Sequence, residues 1–192
     1  MAGRQAKTIT PVQMDALMAH VRGRGVTPRS HVIILLSHRA GLRAAEIAKL
    51  EWAMVMDAAG RIGQTIELED RIAKKKSGRR IPIHPELRRA LAILQRNRRN
   101  ISGPVIKSRK GAAMRPNSIV NWFKALYQEI AFDGCSSHSG RRTFITLTAR
   151  LTHQAGGSLR DVQLLAGHRS IETTERYIDG DTCAQRRLVA YV

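Results

Sequence analysis

Late in the chain stand four side chains of types that handle an anion: His138 and Arg141, three residues apart, then His168, then Tyr177 nine residues further on. Residues three apart on one helix share a face, so His138 and Arg141 can address a single target. A guanidinium stays charged and can grip an oxyanion through two parallel hydrogen bonds, which makes Arg141 a natural clamp. Imidazoles exchange protons near neutrality. A phenol of pKa about 10 acts at neutral pH only with help from such neighbours, so Tyr177 depends on the rest of the set.

These residues are useful only if the backbone gathers them. Ser136 and Ser137 are both good helix caps, so a central helix is expected to start there, with Phe144, Leu147 and Leu151 as its buried stripe. At about 100° per residue, His138 and Arg141 lie away from that stripe, at the positive end of the helix where an anion is favoured. Nine residues make about two and a half turns, so one unbroken helix would put His168 and Tyr177 on opposite sides. Gly167 supplies a stop and Ser170 a new cap, and the sequence therefore predicts a break that turns both side chains into one site. Leu159–Ala166 is expected to be a short helix before that break.

The 192 residues carry 33 Lys plus Arg against 15 Asp plus Glu, a formal charge of +18 and a pI near 11.3. Such a surplus implies a polyanionic partner, and nucleic acid is the first candidate. The charge is concentrated: residues 71–110 hold fourteen Lys or Arg and one acid, Glu86. Phosphate contacts made by such a block weaken steeply with salt. Hydrophobic residues at 43% with aromatics at 4% suit a helix-rich fold with an aliphatic core, and the length allows one or at most two small domains. The apolar run Val32–Leu36 is far too short to span a membrane. Two cysteines, Cys135 and Cys183, without a signal peptide point to a reducing cytoplasm. Cys135 and His138 have ligand-like spacing, but no second pair accompanies them, so no metal site is expected.

Read in order, residues 1–9 are basic and loose. Thr10-Pro11 and Thr27-Pro28 are cap-and-start signals for two helices. The first runs to about Val21; the second carries Val32–Leu36, apolar on every side and so destined for the core, and ends at Gly41. A third helix, Ala44–Leu50, follows Arg43 directly, and a cation at that end either tolerates a small penalty or shares an anion with the backbone amides. Met54–Met56 and Thr65–Leu68 read as strands around an Asp57–Gly60 turn, and Arg80–Ile83 as a short edge strand after a turn at Ser77-Gly78. Pro85-Glu86 opens a helix with Leu87, Leu91 and Leu94 on one face. Asn117 opens another, with Ile119, Val120, Phe123, Leu126 and Ile130 as core and Trp122 beside them. After Tyr177, Asp179-Gly180-Asp181 breaks the chain before a small amphipathic tail, Ala184–Val192. The expected class is mainly α with a small antiparallel β-sheet (α+β).

Together these residues resemble the tyrosine recombinase, or phage integrase, family. Its second box, His-x-x-Arg, is matched by His138-Ser139-Gly140-Arg141. Its third, Leu-Gly-His followed nine residues on by Tyr, is matched by Ala166-Gly167-His168 and Tyr177, with Ala in place of Leu. Thr173–Tyr177 looks like the stretch that carries the family's nucleophile, and Gly41–Ile47 resembles the first box, whose catalytic arginine falls on Arg43. Lys74–Ile83 resembles the β-hairpin of the catalytic lysine. Counting back from Pro82 selects Lys74, which also places Arg79 and Ile81 where the family has them; a Lys-Ser-Gly pattern selects Lys76 instead. The resemblance covers roughly residues 8–180. It implies the tyrosine recombinase catalytic-domain (DNA breaking-rejoining enzyme) fold over a single domain, 1–192, with a tail at 182–192. The first box begins about forty residues in, so no N-terminal core-binding domain is expected, as in short fimbrial-type invertases, unless the chain is a fragment.

The resemblance also implies a chemistry. Transesterification of a phosphodiester needs an in-line nucleophile, neutralisation of two non-bridging oxygens and a proton for the leaving oxygen. On the family's pattern Tyr177 attacks, Arg43 and Arg141 hold the phosphate, and His138 and His168 hydrogen-bond it, with His138 taking the tyrosine proton. Lys74 protonates the leaving 5′ oxygen. The 3′-phosphotyrosyl product conserves the bond energy, so no metal or other cofactor is implied. The implied partners are double-stranded DNA, met by Lys75, Lys76, Arg79, Arg80, Lys107, Arg109, Lys110 and Arg115, and further copies of the chain in a head-to-tail homo-oligomer (tetramer) held by the tail. The implied place is the cytoplasm, on the nucleoid. Two other functions stay open: nicking and resealing like a type IB topoisomerase, and non-catalytic regulation by DNA binding. The second would be marked by a lost tyrosine, arginine or lysine, and none is lost.

Overall fold

At the centre runs α2 (Pro28–Arg39), whose residues Val32–Leu36 are each no more than 2% exposed. Five aliphatic residues in a row leave no polar face, so the helix must be covered on every side, and each such side chain contributes about 1.5–3 kcal/mol by leaving water. The covering helices are α1 (Pro11–Gly23), α3 (Ala44–Lys49), α4 (Pro85–Arg96) and α6 (Ser139–Leu151); α5 (Pro116–Glu129) packs in turn on α3. Between α3 and α4 lie a 3₁₀ turn, Trp52–Met54, and an antiparallel hairpin of β1 (Thr65–Leu68) and β2 (Arg79–Pro82). Thr65 faces Pro82 and Leu68 faces Arg79 across the ladder, and the opposed Ile66 and Ile81 both enter the core. The chain closes with α7 (Leu159–Ala166) and α8 (Ile171–Glu175), which fold over a small second cluster of Ile145, Val162 and Ala166. This computed structural model describes residues 6–23, 27–73, 77–98, 101–108, 110–152, 154–177 and 189–190. The architecture is the expected one, mainly helical with a small two-stranded antiparallel sheet. No helix among the described residues is long and apolar enough to cross a membrane.

Three local expectations are corrected. Met54–Met56 is not a strand: Met54 and Val55 are consecutive and both buried, which a strand with one wet face cannot provide, and the chain curls into the 3₁₀ turn with a lone bridge from Met56 to Ile62. α6 starts at Ser139, after a turn that uses Ser136 as acceptor, and its stripe of Leu147 and Leu151 is exposed. Its inward face is Ser139, Gly140, Thr143 and Thr146, because α6 approaches α2 so closely that a Cβ on Gly140 would lie 2.5 Å from Ser37 Oγ. On α5, Ile119, Phe123 and Leu126 are core as expected, but Val120 is exposed.

Candidate active site

The first part of the site grows from the α2–α3 junction. Gly41 turns the chain with φ of 63°, and the Phe144 ring lies where a side chain there would stand. Arg43 follows as the N-cap of α3. The cation at this helix start is compensated by Glu46, one turn on, whose carboxylate accepts from the Arg43 backbone N–H at 2.9 Å and from its Nη1 at 2.8 Å. The same carboxylate, 1% exposed, takes both Nη1 and Nη2 of Arg79 at 3.0 Å, a fork-to-fork pair with almost no water around it. Arg79 Nε donates to the Leu165 carbonyl at 2.8 Å, so one guanidinium joins the hairpin, α3 and the end of α7. Burial raises the Glu46 pKa, but the bonds from Arg79 and then Arg43 outweigh it and hold the carboxyl at about 2.

The second part is centred on Arg141. It is 3% exposed, donates from Nη1 to the Gly41 carbonyl and from Nη2 to the Ala166 carbonyl, both at 2.6 Å, and lies 3.0 Å from His168 Nε2. Burial, then the charge of Arg43, lowers its pKa from the usual guanidinium value. Gly167, left-handed at φ of 63°, ends α7 and frees His168 from that helix; Ser170 caps α8, as the sequence predicts. A guanidinium only donates, so His168 Nε2 is an acceptor and the ring proton sits on Nδ1, where it donates to the buried Thr174 hydroxyl at 3.0 Å. Burial, then Arg141, Arg43 and Arg79, pull the His168 pKa down to about 4, so the ring is neutral at pH 7. Its face stacks on Tyr177 with centroids 5.4 Å apart. Tyr177 is half-buried, its carbonyl accepting from Thr146 Oγ1 at 3.1 Å. It borders a cavity of about 240 Å³ that is also lined by His138, Arg141, Arg142, Thr173 and Arg176. His138 is the N-cap of α6 and stands at the rim. A phenol, an imidazole and a cluster of guanidiniums around one cavity, with a second imidazole stacked on the phenol, can bind an oxyanion and take a proton from the phenol.

Residues 7–182 match the phage integrase family. The chain belongs to that family. It is 27% identical over 161 residues to the tyrosine recombinase XerC of Myxococcus xanthus, covering 78% of this chain and 49% of the relative. To the tyrosine recombinase XerC of Brucella suis biovar 1 it is 28% identical over 171 residues, covering 86% and 50%. The chain thus spans about half the length of the curated relatives it matches. Its fold is shared with the Tn1549 transposon integrase in complex with a circular intermediate DNA (TM-score 0.77, 19% identity, 100% of this chain and 67% of that one). It is shared too with the XerH site-specific recombinase bound to a palindromic difH substrate (TM-score 0.75, 15% identity, 99% and 54%).

In this phage integrase chain, then, His138, Arg141 and Tyr177 line one cavity, His168 joins them by bonding Arg141 and stacking on Tyr177, and Arg43 adjoins them through the Glu46–Arg79 pair and its charge on Arg141 and His168. Lys74, Lys75, Lys76 and Arg109 lie outside the described residues. Of the residues expected to meet DNA, Arg80, Lys110 and Arg115 are exposed and Lys107 is half-buried; Arg80 pairs across the hairpin with Glu67 at 3.2 Å. Arg79 is turned the other way, into the interior, with only 5% of its side chain exposed. The signal was in the strand period: residues two apart share a face, so a buried Ile81 takes Arg79 inward and leaves Arg80 outside. Glu46 had a signal too, as an acid three residues after the helix-capping Arg43. Thr174, which orients His168, and Arg142 and Arg176, which line the cavity, had none beyond their neighbourhood.

Proposed function

We propose that this chain cuts and rejoins double-stranded DNA as a site-specific recombinase or integrase, with Tyr177 as the nucleophile. The observation that carries the reading is the stacking of Tyr177 on His168, which Arg141 bonds, beside a cavity that Tyr177 and Arg141 line together with His138. The phenolic oxygen attacks the phosphorus in line, His138 takes its proton, and the bond from phosphorus to the 5′ oxygen breaks. That oxygen leaves with a proton from Lys74, and the 3′-phosphotyrosyl ester is resolved by the reverse attack of a 5′ hydroxyl. Arg43 and Arg141 neutralise the non-bridging oxygens; Glu46 and Arg79 hold Arg43 in place for this. A carboxylate committed to two guanidiniums is not free to ligate a metal, and the reaction is expected to survive excess EDTA.

The test is covalent trapping on a nicked suicide duplex taken from the DNA flanking the gene. The parent should become linked to DNA, while Tyr177→Phe should bind but form no adduct. An adduct on the Phe variant would remove Tyr177 from this role, and a strict magnesium requirement would point to a nuclease. The assembly proposed is a head-to-tail homo-oligomer, a tetramer on paired sites, in which residues 182–192 dock on the next subunit. Its support is the apolar surface left open on the adjoining α6 and α7, where Leu147, Leu151 and Leu164 are 37, 50 and 54% exposed. The proposed place of action is the cytoplasm, on the nucleoid.

A further inference from the structure

A second basic feature lies apart from the cavity. α4 buries Leu87, Ala90, Leu91 and Leu94 against the body and presents Arg88, Arg89 and Arg96 on another flank. Together with Ala92 and Gln95 they follow helical spacing and form one wall of an open groove of about 550 Å³; Arg61 stands on the other wall. The groove has built walls. Arg88 reaches across to the Ile62 carbonyl with Nε at 3.2 Å and Nη2 at 3.1 Å, and Gln95 reaches the Gly60 carbonyl at 2.8 Å. Carboxylates do not cancel its charge. Of the Arg61 guanidinium Asp57 takes only Nε, Glu86 is spent on Arg39, and among the described residues neither Arg89 nor Arg96 is paired with an acid.

The groove is not part of the Tyr177 site. Gln64 and Ile83 flank it at the open end of the hairpin, beside the Thr65–Pro82 pair, whereas Arg79, the strand residue tied to Glu46, sits at the other end opposite Leu68. Four-residue strands separate those ends by about 10 Å. A phosphate held in the cavity is therefore out of reach of Arg89 and Arg96, and the groove must serve other phosphates. The chemistry selects the ligand. Among the described residues all four cations of the lining are arginines, whose forks match phosphate oxygens, and none of the lining side chains is an aromatic of the kind that anchors a protein partner. Arg88 and Arg96 are eight residues apart, about 12 Å along the helix, a distance that spans several phosphates of one strand.

We propose that this groove is a second, sequence-independent site for the DNA backbone, holding phosphates outside the stretch that is cut. The proposal rests on the reading that the chain acts on DNA. Arg89→Ala with Arg96→Ala tests it, since both residues are exposed and alanine is the best helix former. Arg150→Ala with Arg160→Ala removes the same charge from α6 and α7 as a control. Binding of a generic 60-bp duplex is measured by fluorescence anisotropy over a range of salt. The groove variant should lose about two from the slope of log affinity against log salt, about one per phosphate contact, while the control keeps the parent's slope. The groove variant should also keep covalent adduct formation on a short nicked duplex. Equal slopes for the two variants would overturn the groove and leave the tyrosine chemistry standing. Protection of residues 85–96 from hydrogen exchange by an acidic protein but not by the duplex would overturn it in favour of a protein partner. No salt-dependent DNA binding by the parent would overturn both readings together.

Discussion

Glu46→Gln removes one charge and almost no volume, and so isolates what this carboxylate does. Four donors converge on it at 2.8–3.0 Å, two from Arg43 and two from Arg79. An amide has one accepting atom and turns its NH₂ toward a guanidinium, leaving Arg79 buried and unpaired. Breaking a buried pair from one side costs about 3–5 kcal/mol. The titration gives a second figure. The Glu46 pKa is about 2 when folded and 4.5 ordinarily, a difference worth about 3 kcal/mol. A depressed carboxyl contributes stability that is complete above its unfolded pKa and disappears as pH falls through the folded one. Glu46→Gln should therefore be about 3 kcal/mol less stable than the parent at pH 7 in urea unfolding, and the gap should shrink by about 2 kcal/mol by pH 3. A variant as stable as the parent, or a gap that does not change with pH, would refute the place given to this ion pair.

Gly140→Ala should destabilise by about 1–3 kcal/mol in thermal unfolding, because its Cβ would meet Ser37 Oγ at 2.5 Å and the Ser37 backbone carbon at 3.2 Å; Ser37→Ala should recover only the hydroxyl's share. His38, 6% exposed, has neither ring nitrogen partnered among the described residues, and burial, then Arg39, pulls its pKa to about 4 against the opposing charge of Glu86. The unfolded state takes that proton first, so stability is full above about pH 6.5 and falls toward pH 4. His38→Leu should gain on the parent by up to about 3 kcal/mol over that window; parallel profiles would count against it. Lys74→Ala should cripple cleavage of normal DNA and be rescued by a 5′-bridging sulfur, which leaves without a proton, while Lys76→Ala should not be rescued; the reverse pattern moves the general acid to Lys76. Deleting residues 182–192 should weaken assembly on paired sites more than binding to one site, and unchanged recombination would end the tail proposal.

Much of this was readable from the residues. The cap at Ser170 and the stop at Gly167 are local signals, and local signals place backbone reliably; that is why the break bringing His168 to Tyr177 was legible. The buried run in α2 was legible because it has no polar face. The face of α6 was not. Leucine spacing suggested an apolar seam, but the seam is set by how closely a glycine and small hydroxyl residues let two helices approach, a tertiary fact that periodicity does not record. The interior ion pair of Glu46 and Arg79 was hidden for a similar reason, since 33 residues separate its partners.

The hydrogen bond that Arg141 gives to His168 has a consequence for the approach of a ligand. Nε2 is occupied as an acceptor and Nδ1–H is spent on Thr174, so the ring has no proton to offer an incoming oxyanion. To greet one, the imidazole must either pick up a proton from solvent or exchange tautomers and release Thr174. An arriving negative charge favours the first route, because it offsets the guanidiniums that now hold the ring neutral. Occupancy of the cavity is then linked to proton uptake, and affinity should rise as the medium turns mildly acidic. Calorimetry in two buffers of different ionisation enthalpy would show that linkage as a difference in observed heat, and His168→Phe should abolish it.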